Sequence, residues 1–305
     1  MKRLLDCTAS DFARMSGQDL KQSIKASEGR VLVAEVISAF TPLYPSVSNA
    51  ELAASFGADM ILLNFFDVFS PHVEGLTSAK PEEIVQDLKR LIGRPVGLNL
   101  EPVDPDARQA EQLHSLPPGR LASAKTFAAA KDLGFDFICL TGNPKTGVTN
   151  REIREAIQTA RTVMGAEMLI IAGKMHGAGV EGEAGGDLVA KQTIIDFIEA
   201  GADIILLPSP GTIPGITLDS AKAMVDTVHA HGALALLATG TSQEGSDETT
   251  IRQIALASKM AGADLYHIGD AGYNGIAIPE NIMHYSITVR GKRHTYVRMA
   301  SSVLR

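Results

Sequence analysis

Lys174 stands where the apolar run Ile170-Ile171-Ala172 gives way to Gly173-Lys174-Met175-His176-Gly177. A lysine partly stripped of water at such a place can form a Schiff base with a carbonyl, or hold a phosphate or carboxylate as a point charge. The plainer expectation is an ion pair with a neighbouring carboxylate such as Glu101. His176, two residues on, suits either general acid–base work or a backbone hydrogen bond within its loop. Asn99 and Glu101 are also two apart, so both face one side of a strand. A charge inside an apolar segment is expensive unless it is paired or functional.

Other candidates follow apolar segments in the same way: Glu35, then Asn64 and Asp67, then Thr141 and Asn143, with Ser209, Thr239, Thr241, His267 and Asp270 later in the chain. Glu35, Asp67, Glu101 and His176 combine oxygen ligands with one imidazole, a donor set that suits Mg, Mn or Zn. No motif fixes their mutual distances, and ordinary salt bridges account for them equally well. Thr239-Gly240-Thr241 and Gly269-Asp270-Ala271-Gly272 are small-residue loops whose backbone N–H groups could cradle a phosphate. Asp270 would repel that anion unless it turned away or met a cation.

These residues need a frame, and a recurring phrase supplies it. Gly57-Ala58-Asp59, Gly134-Phe135-Asp136, Gly201-Ala202-Asp203 and Gly262-Ala263-Asp264 each precede a short apolar run, at 60–63, 137–140, 204–207 and 265–268. They recur roughly 60–80 residues apart, about the length of a double βα unit. Four similar runs lie between them, at 31–34, 96–98, 168–171 and 234–237. Near-continuous apolar strands indicate burial on both faces, as in a parallel sheet. Helical spacing fills 49–56, 81–92, 123–133, 150–164, 188–200, 218–231 and 247–261. No Gly-x-Gly-x-x-Gly follows the first strand, so a dinucleotide fold is disfavoured. The pattern predicts one α/β domain, a (β/α)8 TIM barrel over residues 30–290. A helical extension over 1–29, with its helix at 17–26, caps the bottom, and a tail follows from 291 to 305. Catalytic groups in such a barrel gather at the carboxyl ends of the strands. The proline-bearing stretch 102–119 reads as a loop inserted over the third strand.

The 305 residues carry a net charge of −7, with 45% hydrophobic residues and no Trp. That acidity, with no basic block, argues against a nucleic-acid partner. The two cysteines, Cys7 and Cys139, form neither a disulfide framework nor a zinc spacing, which fits a reducing cytoplasm. The run Leu4-Leu5 is too short for a signal peptide, and no stretch reaches the ~20 apolar residues of a membrane span.

From residue 30 to about 215 the order of features resembles the BtpA family, barrels named after a cyanobacterial protein needed for photosystem I biogenesis. The similar features are Pro42-Leu43-Tyr44-Pro45 after the first strand, Gly57-Ala58-Asp59, Asn64 with Asp67, Gly97-Leu98-Asn99, Thr141-Gly142 and Lys174-Met175-His176. The chain departs where that family has Gly-Ser-Gly after strand seven, and again after strand eight at Gly269-Asp270-Ala271. The resemblance implies a divergent barrel and admits a non-catalytic assembly or regulatory role.

The residues themselves point first to an enzyme for a small phosphorylated carbonyl or sugar-like metabolite, of lyase, aldolase or isomerase type. In that expectation Lys174 is electrophile or anion anchor, Glu101 or Glu35 is the base, and His176 and Asn99 assist. Asn64, Asp67, Thr239, Gly240, Thr241, Gly269 and Asp270 then hold substrate and phosphate. A metal-dependent hydrolase is the alternative. A homo-oligomer is expected on general grounds.

Overall fold

The computed structural model describes residues 2–109, 112–183, 188–270 and 274–305. Each of the eight apolar runs is a strand: β1 Val31–Ile37, β2 Met60–Asn64, β3 Val96–Leu100, β4 Phe137–Leu140, β5 Leu169–Gly173, β6 Ile204–Pro208, β7 Leu234–Thr239 and β8 Leu265–Ile268. Every residue in them is buried, as double-faced coverage requires. The strands pair in chain order, all parallel, and β8 pairs back to β1 to close the barrel. The expected (β/α)8 architecture is the observed one.

Alternation along the strands sorts their side chains. Val31, Val33, Met60, Leu62, Phe137, Cys139, Leu169, Ile171, Ile204 and Leu206 fill the barrel interior, while Leu32, Ile61, Leu98, Ile138, Ile170 and Ile205 pack beneath the helices. Those helices are α3 Asn49–Ser55, α4 Ile84–Ile92, α5 Ala124–Leu133, α6 Asn150–Met164, α7 Lys191–Ala200, α8 Leu218–Ala230 and α9 Glu248–Met260. The short α1 Ala9–Phe12 and α2 Gly17–Lys25 precede the barrel. Their Phe12, Leu20 and Ile24 join the interior cluster and plug its bottom.

The repeated Gly-x-Asp phrase has a definite mechanical role. The Asp59 backbone donates to Leu32 O and its carboxylate accepts from Leu32 N, both at 2.8 Å. Asp136 makes the same pair of bonds with Val96, Asp203 with Ile170, and Asp264 with Ala235. Each aspartate before an even strand thus clasps the start of the odd strand beside it. A cation accompanies three of them at the rim: Lys89 at Asp136, Arg161 at Asp203 and, when protonated, His229 at Asp264.

Asp59 is completely buried and meets two guanidinium groups, Arg290 and Arg298, from a helix the sequence pattern did not reveal, α10 Pro279–Ala300. The stretch Ile287-Thr288-Val289 has modest helix propensity, and Gly291, at φ 79°, interrupts the helix inside. The segment assigned to a tail is therefore largely helical and packs along α9 and α3. Among the described residues no helix is long and apolar enough to cross a membrane.

Candidate active site

At the carboxyl ends of the strands a cavity of about 670 Å³ opens. Strand alternation decides what reaches it. The residues that continue the inward faces of β1, β2, β3, β4 and β8 are Glu35, Asn64, Asn99, Thr141 and His267, and all five line the cavity. The loops after β5, β7 and β8 add His176, Thr241, Ser242, Glu244, Gly269 and Asp270 to its walls. Gly240 lines it too, packed close to the Met175 side chain, whose Sδ would lie 2.5 Å from a Cβ at this position.

A hydrogen-bonded floor runs across these strands. His267 Nε2 lies 2.9 Å from Glu35 Oε2, and Asn64 Nδ2 donates to Glu35 Oε1 at 2.8 Å. Asn64 and Asn143 exchange amide bonds at 2.7 and 3.0 Å. Asn99 Nδ2 donates to Asn64 Oδ1 at 3.3 Å. Burial alone would push the Glu35 carboxyl up. The bond from His267, with bonds from Asn64 and Asp270, instead holds it below the usual carboxylate range.

Three polar atoms of this floor are buried without a partner: Asn99 Oδ1, Thr141 Oγ1 and His267 Nδ1. Buried polar groups are rarely left unpaired, so these atoms are where a ligand would complete the bonding. His176 adds a donor. Its Nδ1 accepts from the Ala178 N–H at 3.1 Å, which leaves the ring proton on Nε2. Burial first, then the nearby Lys174 ammonium, push its pKa from 6.5 down to about 4, so the ring is neutral near pH 7.

The other expected site residues lie elsewhere. Lys174 is outside the cavity: it continues the outward face of Ile170 and Ala172, and its ammonium donates to Val148 O at 2.7 Å and to Glu183 at 2.6 Å. Burial lowers its pKa, but the group is spent on these two partners. Neither the Schiff base nor the anion anchor has its lysine at the mouth. Glu101 is bonded to Arg120 at 2.6 Å and to the Asn143 N–H at 2.9 Å, so it ties down the 102–119 insertion and is not a free base. Asp67 accepts from the Phe69 N–H and faces Gly119, away from the cavity. Thr239 sits behind the wall against Ser209 and Tyr285. With Asp67 and Glu101 withdrawn, the expected metal set is not brought together. Among the described residues no group of three His, Cys, Asp or Glu side chains could hold a metal.

Of the anion loops, Gly240, Thr241, Gly269 and Asp270 do reach the cavity, whereas Ala271, Gly272 and Tyr273 lie outside the described residues. Thr241 and Ser242 adopt φ of 57° and 74°, a costly backbone for side-chain-bearing residues that persists only where the surroundings enforce it. No Lys or Arg is among the described residues of the lining. Thr141 and His267 stand among the strand-end candidates but have no role in the expected reaction, although both line the cavity. The signal was strand parity, since Leu265 and His267 share the inward face of β8.

Among solved structures the chain is similar to phosphoenolpyruvate phosphomutase from Streptomyces platensis subsp. rosaceus, with 16% identity and a TM-score of 0.50 over 83% of this chain and 80% of that one. It is also similar to pyruvate carboxylase from Rhizobium etli, with 14% identity and a TM-score of 0.52 over 95% of this chain and 30% of that one. The carboxyl transferase domain of the Rhizobium etli enzyme gives 12% identity and a TM-score of 0.52, covering 98% of this chain and 54% of that one. These likenesses concern the barrel itself. No curated protein matches the sequence. A family pattern does, over residues 5–305, and the chain accordingly belongs to the family described as a domain of unknown function, DUF7916.

Proposed function

We propose that the chain is an enzyme that moves a proton beside a carbonyl of a small polar metabolite, in a reaction of isomerase or lyase type. One observation carries the reading: His267, which lines the cavity, is held through Nε2 against ionised Glu35, while its Nδ1 is buried without a partner. A carboxylate bonded to one ring nitrogen fixes the tautomer and leaves the lone pair on the other. It also stabilises the imidazolium that forms when that lone pair takes a proton. His267 Nδ1 is the base, with Glu35 and Asn64 behind it.

His176 is its complement. A neutral ring with its proton on Nε2 can donate to the carbonyl oxygen as negative charge develops there, without first giving the proton away. The remaining polar groups of the floor hold the substrate in register. A non-catalytic assembly role, which the resemblance to the BtpA family admits, calls for no such prearranged base and donor, so the pair supports the enzymatic reading.

Proton NMR in D2O with a panel of small hydroxy- and amino-carbonyl compounds tests this. The intact chain exchanges the C–H beside the carbonyl of its substrate, and His267→Gln slows that exchange by about 100- to 10,000-fold. An unchanged rate in that variant removes His267 as the base.

A further inference from the structure

The orientation of the floor amides is fixed by their surroundings. Asn64 Oδ1 accepts from the Phe65 N–H at 2.9 Å and Asn64 Nδ2 faces the Glu35 carboxylate, so that amide cannot be turned over. Asn99 must therefore present its NH2 to Asn64 Oδ1, and its own Oδ1 is left as an acceptor. On the adjacent strand β4, Cys139 stands in register with Asn99, and Thr141 follows two residues on, on the same inward face. Asn99 Oδ1 and Thr141 Oγ1 are both without a partner, in cavity-lining residues that are each only 4% exposed.

These two atoms require different things of a ligand. The Asn99 oxygen can only accept, whereas the Thr141 hydroxyl has a proton to give as well as lone pairs. A ligand carbonyl or carboxylate takes the Thr141 proton but brings Asn99 no donor. An ammonium gives a proton to each atom and leaves the Thr141 proton with no acceptor. An alkyl group satisfies neither. A hydroxyl donates to Asn99 Oδ1 and accepts from Thr141 Oγ1, so one group completes both bonds. A site built around a hydroxyl discriminates sharply against analogues that lack it, because its own buried groups are then left unpaired.

Resting on the proton-transfer reading above, which makes this cavity the substrate site, we infer that the substrate carries an uncharged hydroxyl received between Asn99 and Thr141 at the mouth of β3 and β4. The seat narrows the substrate class to hydroxylated carbonyl compounds and sets them apart from the corresponding amines and acids. It makes Asn99 and Thr141 specificity residues, and leaves His267 and His176 to the reacting end.

NMR titration of the full chain with hydroxyacetone, aminoacetone, acetoacetate and butanone tests the seat. The four share one ketone and differ only in the group on the adjoining carbon: hydroxyl, ammonium, carboxylate or methyl. Hydroxyacetone binds at least about tenfold more tightly than each of the others, the scale of two hydrogen bonds made where the analogue leaves buried groups unpaired. Asn99→Leu and Thr141→Val, each checked for an unchanged melting curve, abolish that preference. Where a variant does not fold, the ligand series on the unaltered chain decides the matter. Equal affinities for hydroxyacetone and butanone would mean that water, and not substrate, completes these bonds, and would overturn the inference. So would tighter binding of the amine or the acid, no binding of hydroxyacetone at millimolar concentration, or a preference that survives in both folded variants. Affinity is read without turnover, so hydroxyl preference in a chain that exchanges no C–H sinks the proton-transfer reading alone, and exchange without the preference sinks the seat alone.

Discussion

His176 shows how a single side chain acquires a role from its surroundings. The folded chain holds its imidazole near pKa 4, against an ordinary 6.5, by burial and by the charge of Lys174. The unfolded chain therefore takes up this proton at a higher pH than the folded one. The contribution to stability is fully present above pH 6.5 and is lost as pH falls from there towards 4. Urea unfolding at pH 7 and pH 5 should show His176→Gln losing less stability on acidification than the unaltered chain. An identical loss in both would mean the imidazole is not desolvated as described. Glu35, Asn64, Asn99 and His176 could be picked from the sequence because polar residues at the ends of apolar strands have few other reasons to be there. Lys174 misled because residue type was weighed before parity. Leu169, Ile171 and Gly173 carry the inward face of β5, so Lys174 had to turn outward with Ile170 and Ala172.

Among the elements, strands and most helices were legible because their periodicities, two and near-continuous apolarity against 3.6, leave marks in the order of residues. The clasping aspartates were visible as a repeat but not as a function, since their bonds run to strands 27 to 40 residues away. The loop after β5 illustrates a tie of the same long-range kind. Glu183 accepts from Lys174 and from the Asn150 N–H at the start of α6, and so pins the segment that carries His176. The two ends of this ion pair are unequal, because the Lys174 side chain is 1% exposed and that of Glu183 22%. Removing the carboxylate strands a buried ammonium, whereas removing the ammonium leaves a carboxylate that water can reach. Glu183→Gln should cost about 2–4 kcal/mol, a buried-pair loss reduced for the exposure of Glu183, and Lys174→Met under about 1.5 kcal/mol. Lys174→Met should also retain proton exchange, because the lysine is not at the cavity. Equal costs, or an inactive but folded Lys174→Met, would return Lys174 to the mechanism.

At the scale of the molecule, closure of the barrel between its first and last quarters depends on charge buried at the bottom, opposite the site. Asp59 clasps β1 at Leu32 and simultaneously receives Arg290 and Arg298 from the last helix. Arg298 also donates to Leu4 O and Cys7 O, and Arg94 donates to Ala58 O and Arg298 O, so one carboxylate organises both termini around β2. Burial and the adjacent Arg298 push the Arg94 guanidinium down to about 10, a sign of how crowded with positive charge this region is. Nothing in the local pattern of either terminus announces the arrangement, because its members come from four separate parts of the chain. Neutralising the carboxylate leaves the guanidinium groups facing one another in a place water does not reach. Asp59→Asn should therefore cost about 3–5 kcal/mol, the range for breaking a buried pair by removing one partner. Asp136→Asn, at the equivalent clasp, should cost less, because its cation Lys89 is 20% exposed and can turn to solvent. Urea denaturation of the two variants side by side measures the difference. If Asp136→Asn were the more damaging, the clasp to the neighbouring strand, and not the buried charge at the termini, would be what holds the ring closed.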